Sequence, residues 1–432
     1  MSLSHMREHL TNGKGAPPTF GRELKDATMN DQPSPEAAGK ELHLHPDVLS
    51  LGLVSFLTDL SSEMIFSVFA LFFTTIAGAS AALLGMVEGF GDLFASSLNY
   101  LAGWMADRTG KRKALTLAGY GFSTLAKIIL PITSSVAGLS AFRVVERLGK
   151  GFRGPPRDAW ISAVADKGNR GYAFGVHKAL DKAGAVLGPL VAYGLLAWLG
   201  ERASTYRILF WTALAPALLS LVVLSFIKDQ SGVQHRRENM FETWDTLSPG
   251  FKRYLVAAGI FSLAYFSFGF LLLRARSAGF SVRDIVLLYA LFNASFVAAS
   301  PLTGKLGDAV GRARLIMLSY LIYLLMSLGF AFATRQSQII ILFIIYGVFF
   351  AIDEAQSKAF IADIERERRA SAIGLYNFVT GLLYLPASLI AGALWQIRPA
   401  NAFLVAACLS LTALAVLVFL WSDQKHDSAK PQ

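Results

Sequence analysis

Four carboxylates occur in two pairs within apolar sequence. Asp59 and Glu63 form the first pair, and Glu88 and Asp92 form the second. On a helix the members of each pair lie one turn apart on the same face, and two like charges that close are not both ionised without cost. A carboxyl group in this position can bind and release a proton, which is the chemistry of proton coupling. The alternative is static ion pairing with bases on neighbouring helices, such as Lys127.

The densest charge lies in residues 139–189, between long apolar runs. Steps of about 100° per residue place seven charged side chains within about 140° of one helix face: Arg143, Glu146, Arg147, Lys150, Arg153, Arg157 and Asp158. Charge inside a membrane is costly unless it faces protein, water or an opposite charge, so this face is predicted to line a cavity. Gly154, Pro155 and Pro156 are predicted to break or kink the helix.

Arg153 and Arg157 flank this predicted break. Two guanidinium groups can bind a carboxylate through forked hydrogen bonds that lysine does not reproduce, so they are candidates for contact with an anionic substrate. The alternative is pairing with acids such as Asp158 and Asp181, or contact with lipid headgroups. His177 and Asp181 lie one turn apart and could relay a proton, although a membrane histidine is more often a hydrogen-bonded structural group.

The second half of the chain offers fewer candidates. Glu354 and Lys358 have the spacing of a neutralising pair on one helix face, and a structural role is the favoured interpretation. Tyr265 and the three phenylalanines that follow it within five residues could stack on a substrate, or they could serve in packing.

These residues sit in a sequence that is too apolar for a soluble domain. Of its 432 residues, 54% are hydrophobic and 16% are charged, and the mean hydropathy is +0.47. We therefore predict an all-α integral membrane protein with twelve transmembrane helices, each long enough to cross about 30 Å of hydrocarbon. The predicted spans are 48–77, 82–106, 112–133, 136–165, 171–199, 205–227, 252–276, 282–306, 311–334, 338–362, 370–396 and 400–421.

The polar segments divide this chain into parts. Residues 1–45 are predicted to be a disordered cytoplasmic tail, residues 46–227 and 251–422 two six-helix bundles, residues 228–250 a cytoplasmic loop, and residues 423–432 a cytoplasmic tail. Seventeen Lys and Arg residues fall in loops on one side and seven on the other. The positive-inside rule therefore predicts both termini in the cytoplasm of a multi-pass inner (plasma) membrane protein. We assign the formal charge of +10 to these loops and expect no nucleic-acid binding.

One loop motif occurs twice, about 200 residues apart, which predicts a duplication of the half-chain. Its positions are Gly103, Asp107, Arg108, Gly110 and Arg112 after span two, and Gly304, Asp308, Gly311 and Arg312 after span eight. The glycine at its start allows close helix approach, and the carboxylate can meet the positive end of a helix dipole. We predict that the motif acts as a gating latch. The alternative is a plain basic loop.

With these motifs the chain resembles the major facilitator superfamily over about residues 46–422. Arg147-Leu-Gly-Lys150-Gly151 resembles the fourth-helix motif of that family. Gly184-Ala-Val-Leu-Gly188-Pro189 resembles the fifth-helix kink motif of its drug/proton antiporter branch. The resemblance implies two six-helix bundles related by a pseudo-two-fold axis, with a substrate site between them and alternating access.

We therefore predict a proton-coupled secondary transporter that exports a small organic molecule, such as an anionic metabolite, a siderophore or a drug. One alternative is proton-coupled import of an organic anion, and another is a membrane sensor or scaffold that does not transport. The sequence contains no nucleotide-binding loop, catalytic signature or metal-ligand cluster, so we expect neither an enzyme nor a cofactor, with H⁺ as the coupling ion. The expected partners are the substrate and the lipid bilayer, and we expect a monomer.

Overall fold

A computed structural model describes residues 44–165, 170–228, 244, 247–365 and 369–427. Almost all of the predicted N-terminal tail and most of the predicted central loop lie outside these residues.

Within the described part, the chain forms twelve successive helical spans and no β-strand. They are α1 (Pro46–Leu71, continued by a π-helical turn at Phe72–Ile76), α2 (Ala81–Thr109), α3 (Arg112–Ile132), α4 (Val136–Val164), α5 (Arg170–Leu199), α6 (Ala203–Phe226), α7 (two segments, Pro249–Ala264 and Gly269–Ser277), α8 (Val282–Val310), α9 (Arg312–Phe332), α10 (Gln336–Ile364), α11 (Arg369–Ile397) and α12 (Pro399–Asp427). The predicted all-α architecture of membrane-length helices is confirmed.

Eleven of these spans are both long and apolar enough to cross a membrane. The twelfth, α4, is equally long at 29 residues, but its charged face lowers its hydropathy. Large apolar side chains cover much of the outer surface; Trp198 is 82% exposed and Phe226 is 81% exposed. An exposed apolar surface of this extent suits contact with lipid, and the prediction of a multi-pass membrane protein is confirmed.

Serine and glycine set several helix ends. The hydroxyl groups of Ser80, Ser135, Ser248 and Ser281 accept hydrogen bonds from backbone N–H groups in the first turns of α2, α4, α7 and α8. Gly110 ends α2 in the left-handed conformation, with φ of 68°, where a side chain would be strained.

The sequence predicts a break or a kink in α4, and a break is wrong. Pro155 and Pro156 both lie inside α4, which remains helical to Val164. The two prolines remove backbone hydrogen bonds, but tight packing against neighbouring helices holds α4 in place. A Cβ added at Gly151 would lie 2.2 Å from the carbonyl oxygen of Ala95 in α2, so the two backbones are already in direct contact.

The structure interrupts α7, where the sequence predicts one continuous span. Residues Tyr265–Phe268 are not helical, and side chains of other helices bond to the backbone around them. The Tyr323 hydroxyl donates to the Ala264 carbonyl oxygen at 2.9 Å, and the Ser267 N–H donates to the Ser388 hydroxyl at 3.3 Å. Non-helical backbone at membrane depth is tolerated where protein satisfies it or where it lines a cavity.

Helix packing follows the predicted duplication. In the first six helices, α1 packs on α5 and α6, α4 packs on α2 and α3, and α3 packs on α6. Adding six to each helix number gives the corresponding pairs of the second half: α7 packs on α11 and α12, α10 packs on α8 and α9, and α9 packs on α12. The main contacts between the two sets are α2 with α11 and α5 with α8, which the same operation exchanges. This pattern is that of a pseudo-two-fold axis between two six-helix halves.

Glycines bring α2 and α11 together at one end of the interface between the halves. A Cβ at Gly85 would lie 2.2 Å from the carbonyl oxygen of Ser388, and a Cβ at Gly392 would lie 2.8 Å from the Cα atom of Ala82. Gly85 and Gly89 are four residues apart, which is the small-residue spacing typical of close helix pairs in membranes. The two halves therefore close against each other near the start of α2.

Candidate functional site

A cavity of about 510 Å³ lies between the two six-helix halves, a volume typical of sites for small organic molecules. Its acidic lining residues are Glu63, Glu88, Asp92, Asp353 and Glu354. Its basic lining residues are Arg143, Arg147, Lys150, Lys182 and Lys358. The first-half wall therefore carries seven of these charged side chains, from α1, α2, α4 and α5, and α10 carries the other three.

The cavity is accessible from one end. The α2–α11 contact closes the end near the α1–α2 loop, where Gly269 of α7 also packs on Ala70 of α1. Lys358, which lies nearer the other end of α10, is 50% exposed. The cavity is therefore closed at the end near the α1–α2 loop and open toward the end of α10 that holds Lys358.

The structure places about half of the predicted site residues on the cavity wall. Those on the wall are Glu63, Glu88, Asp92, Arg147, Lys150, Tyr265, Glu354 and Lys358. Those that do not line it are Asp59, Lys127, Arg153, Arg157, Asp158, His177 and Asp181.

Two arginines hold the second predicted acid pair. Arg143 donates to both carboxylate oxygens of Glu88 at 2.6 Å, and both side chains are nearly fully buried. Arg147 Nη2 lies 3.5 Å from Glu88 and 3.4 Å from Asp92. This geometry is static ion pairing, which was the alternative to proton binding for these two acids.

A second set of paired charges lies outside the cavity lining. Asp59 is 3.8 Å from Arg153, whose Nη1 also donates to the Ser123 hydroxyl at 3.1 Å. Lys127 donates to the hydroxyl groups of Ser61 and Ser62 at 2.8 and 3.0 Å. These buried donors and acceptors join α1, α3 and α4 within the first half.

Arg157 and His177 meet at one serine. Arg157 donates to Asp158 at 3.0 Å and to the Ser55 hydroxyl at 3.1 Å, and it lies 3.9 Å from Asp181. The Nε2 atom of His177 is 2.9 Å from the same Ser55 hydroxyl. The structure therefore places the histidine against Ser55 and places the arginine against protein acids, away from the cavity wall.

Glu63 forms a contact between the two halves. Its carboxylate accepts a hydrogen bond from the Tyr289 hydroxyl of α8. Among the described residues, no basic side chain lies within ion-pair distance of Glu63. Of the four acids predicted in pairs, Glu63 is therefore the one whose hydrogen-bond partner is a neutral group of the opposite half.

Glu354 also connects the halves. The predicted pair with Lys358 is present at 4.0 Å, but Lys178 of α5 approaches Glu354 more closely, at 3.4 Å. Lys178 lies 3.7 Å from Asp181 as well. The lysine thus bridges an acid of each half, a contact that helical spacing alone does not predict.

Asp353 is a cavity residue that was not predicted from the sequence. This residue lines the cavity from α10, and its neighbour within hydrogen-bond distance is the Ser357 hydroxyl at 3.5 Å. No basic group in the described part of the chain lies within ion-pair distance of its carboxylate. An acid inside an apolar span is itself a sign of function, and that signal was available at Asp353 beside Glu354.

Two lysines on the first-half wall have no acid within ion-pair distance among the described residues. Lys150 is exposed to the cavity, and the Nζ atom of Lys182 lies 4.3 Å from the ring centre of Phe296. A lysine over an aromatic ring keeps its charge available to a ligand.

Ten of the twenty cavity-lining residues of the second half are aromatic. Tyr265 lines the cavity as predicted, and its hydroxyl accepts a hydrogen bond from Tyr346 at 3.0 Å. Its ring centre is 5.3 Å from that of Tyr384. Tyr265 lies in the non-helical break of α7. The direction of its side chain is therefore not set by helix geometry, and its ring can face the cavity.

The loop motifs show one interhelical ion pair, and the close helix approach predicted at their first glycine is wrong at Gly304. Arg312 Nε lies 2.9 Å from Asp363 of α10, and Arg108 lies 5.0 Å from the ring centre of Trp104. Gly311 has φ of 98°, but nothing lies within 4 Å of a Cβ at Gly304. The side chains of the two motif aspartates, Asp107 and Asp308, lie outside the described part, so the latch stays a prediction. Arg112 begins α3 as the motif places it.

The glycines of the fifth-helix motif allow α5 to pack closely against α1. A Cβ at Gly184 would lie 2.4 Å from the carbonyl oxygen of Phe56, and a Cβ at Gly188 would lie 2.6 Å from that of Leu60. Pro189 is inside α5, which continues to Leu199.

Comparisons with known proteins agree with this architecture. The family model of the Major Facilitator Superfamily matches residues 51–281 and 254–432. An uncharacterized MFS-type transporter of Methanocaldococcus jannaschii is 34% identical over 384 residues, which cover 87% of this chain and 95% of that protein. A solved structure of a mutant of the nucleoside transporter NupG has a TM-score of 0.73 at 13% identity, and the match covers 86% of this chain and 99% of that one.

More distant relatives have named activities. A multidrug resistance protein, MdtG, of Serratia proteamaculans is 24% identical over 272 residues, 61% of this chain and 65% of that protein. A citrate-proton symporter of Salmonella typhi is 25% identical over 257 residues, 55% of this chain and 59% of that protein. The family match spans both halves of the fold, and the chain therefore belongs to the Major Facilitator Superfamily of membrane transporters.

Proposed function

We propose that the protein is a proton-coupled secondary transporter that exports a small organic molecule carrying an anionic group. The observation that carries the proposal is the pair of cavity lysines, Lys150 and Lys182, which have no acid within ion-pair distance among the described residues. A positive charge in a low-dielectric site is costly unless an opposite charge or water meets it. A substrate carboxylate entering the cavity would meet both lysines.

The coupling proton would bind an acid that faces the cavity without a base beside it. Glu63 and Asp353 meet this condition among the described residues, whereas Glu88 and Asp92 are held by arginines. Proton binding at Glu63 would remove the charge that strengthens its hydrogen bond from Tyr289. Because that bond joins the two halves, protonation there would ease their separation.

Transport would proceed by rocking of the two bundles, residues 46–227 and 251–422, about the cavity. Support for this motion comes from the packing pattern, in which few helix pairs connect the halves. We also propose that both termini are cytoplasmic in the inner membrane and that the monomer is the working unit. The excess of basic residues in the even-numbered loops supports this orientation.

The test is uptake into proteoliposomes under imposed pH gradients of both signs. A panel of radiolabelled aromatic carboxylates should accumulate when the lumen is acidic, because substrate and proton move in opposite directions. Lys150→Gln should reduce accumulation about tenfold or more, since a charge-assisted contact is lost. Lys305→Gln, at an exposed lysine near the end of α8, is the matched control and should transport like wild type.

Accumulation that does not depend on the pH gradient would contradict proton coupling. If the protein transports only neutral or permanently cationic compounds, and Lys150→Gln is as active as wild type, the proposal that the substrate carries an anionic group is contradicted.

Import of an organic anion together with a proton is the second candidate. The similarity to a citrate-proton symporter supports it. The same assay separates the two candidates whichever way the protein inserts, because a symporter accumulates substrate when the external side is acidic.

A further inference from the structure

Asp353 and Glu354 are neighbours in α10 with different surroundings. Glu354 lies 3.4 Å from Lys178 and 4.0 Å from Lys358. Asp353 faces the same cavity, but among the described residues its neighbour within hydrogen-bond distance is the Ser357 hydroxyl at 3.5 Å. Both lysines therefore lie within ion-pair distance of Glu354, whereas no basic group in the described part does so for Asp353, and its carboxylate can meet a ligand.

The wall around Asp353 suits a cationic group. Tyr265, Tyr346, Tyr376 and Tyr384 line the same cavity from α7, α10 and α11. The faces of tyrosine rings attract cations, and tyrosine hydroxyl groups can accept hydrogen bonds from an ammonium group. A carboxylate among tyrosines therefore forms a site of opposite character to the wall that holds Lys150.

The charge of the cavity favours a ligand with both signs. If all lining groups are ionised, the five acidic side chains balance the five basic ones. A ligand with a carboxylate alone would add an uncompensated negative charge to this balanced lining, which is less favourable than adding no net charge. A ligand that also carries an ammonium group would add no net charge.

We infer that the substrate is amphoteric: its carboxylate binds at Lys150 and Lys182, and its ammonium group binds Asp353 among the tyrosines. The inference rests on the proposed function and adds the second charged group and its site. The two binding groups lie on opposite halves, so a bound substrate would contact both halves at once. Such a ligand can influence how they move relative to each other.

The experiment uses three ligands of nearly equal size and the purified full-length protein in detergent. At neutral pH, 4-(aminomethyl)benzoate is a zwitterion, 4-methylbenzoate is an anion and 4-methylbenzylammonium is a cation. Isothermal titration calorimetry gives each affinity. Wild type should bind the zwitterion about tenfold or more tightly than either singly charged ligand, since each end gains a charge-assisted contact.

Variants then assign each end of the ligand. Asp353→Asn should weaken binding of the zwitterion and of the cation about tenfold and should not weaken binding of the anion. Lys150→Gln should weaken binding of the zwitterion and of the anion and should not weaken binding of the cation. Asp284→Asn, at an exposed acid in the first turn of α8, is the control and should change none of the three affinities.

Three results would overturn the inference: a zwitterion that binds wild type no more tightly than the anion, a zwitterion that fails to bind, or an Asp353→Asn variant that affects all three ligands equally or not at all. Each of these leaves the proposed function standing if carboxylates still accumulate under a pH gradient. Loss of all gradient-driven carboxylate uptake in wild type would instead overturn the proposed function.

Discussion

Replacing Gly85 by alanine should open the closed end of the interface between the halves. In the structure a Cβ at this position would lie 2.2 Å from the carbonyl oxygen of Ser388 and 3.1 Å from its carbonyl carbon. Both contacts are with backbone, so no side-chain rotation relieves them. Ordinary contact would require α2 and α11 to move apart locally by about 1 Å.

The size of the effect follows from the free-energy cost of overpacking, about 1–3 kcal/mol. Only the conformation in which α2 and α11 touch bears this cost, because the opposite open state separates them. The equilibrium between the two states should therefore shift about 5- to 150-fold toward the state that is open at this end. Alanine also favours the helix itself by up to about 1 kcal/mol, an effect common to both states.

Distance measurements between spin labels can detect this shift. Labels at Ile76→Cys and Ile397→Cys, in a Cys408→Ser background, report the separation of α1 and α11 at the closed end, and both positions are exposed. Gly85→Ala should increase the population of the longer distance. Gly175→Ala is the matched control, because nothing lies within 4 Å of a Cβ there.

An unchanged distance distribution in Gly85→Ala, in protein that folds as well as wild type, would contradict this account of the closed end. An equal shift in Gly175→Ala would show that helix propensity, and not the contact with α11, is responsible.

Three further predictions concern the polar contacts. Glu88→Gln should lower the free energy of unfolding by about 3–5 kcal/mol, because it leaves buried guanidinium charge without its partner. Thermal denaturation in detergent measures this change. The control is Asp158→Asn, at a half-exposed acid, which should lower the free energy of unfolding by less than about 1 kcal/mol. Tyr289→Phe removes the hydrogen bond that joins α8 to α1, which is worth about 1.5–3 kcal/mol for a charged acceptor. The same spin labels should therefore show a larger population of the longer distance, and a distance distribution like that of wild type would contradict this role. The Arg153→Lys and Arg157→Lys variants should bind aromatic carboxylates with an affinity within about twofold of wild type, because neither arginine lines the cavity. A loss of affinity of about tenfold in both variants, measured by calorimetry, would support the forked carboxylate site that was predicted from the sequence.

Local patterns in the sequence were enough to predict several features of the fold. Apolar runs long enough for a bilayer predicted the spans, because a helix of that length must satisfy its own backbone in lipid. The repeated loop motif predicted the duplication that the packing of the helices displays. The one-sided charge of α4 predicted that this face lines a cavity, as Arg143, Arg147 and Lys150 do.

Two departures from the sequence prediction show how helix packing controls the backbone. Pro155 and Pro156 predicted a break that the structure lacks, because contacts such as that of Gly151 with Ala95 hold α4 in a helix. The break in α7 carries no proline signal. It depends on hydroxyl groups of other helices that bond to its backbone.

The roles of the acids depend on the tertiary structure as well. Glu63 and Glu88 look alike in the sequence, since each belongs to a pair one turn apart in an apolar span. In the fold, Glu88 meets Arg143 at 2.6 Å, whereas Glu63 meets a tyrosine of the other half. Asp353 likewise differs from Glu354 because the lysine that crosses between the halves reaches only Glu354. An acid in a membrane is paired or available according to which neighbouring helix presents a base to it, and that depends on contacts between residues more than 50 positions apart in the chain.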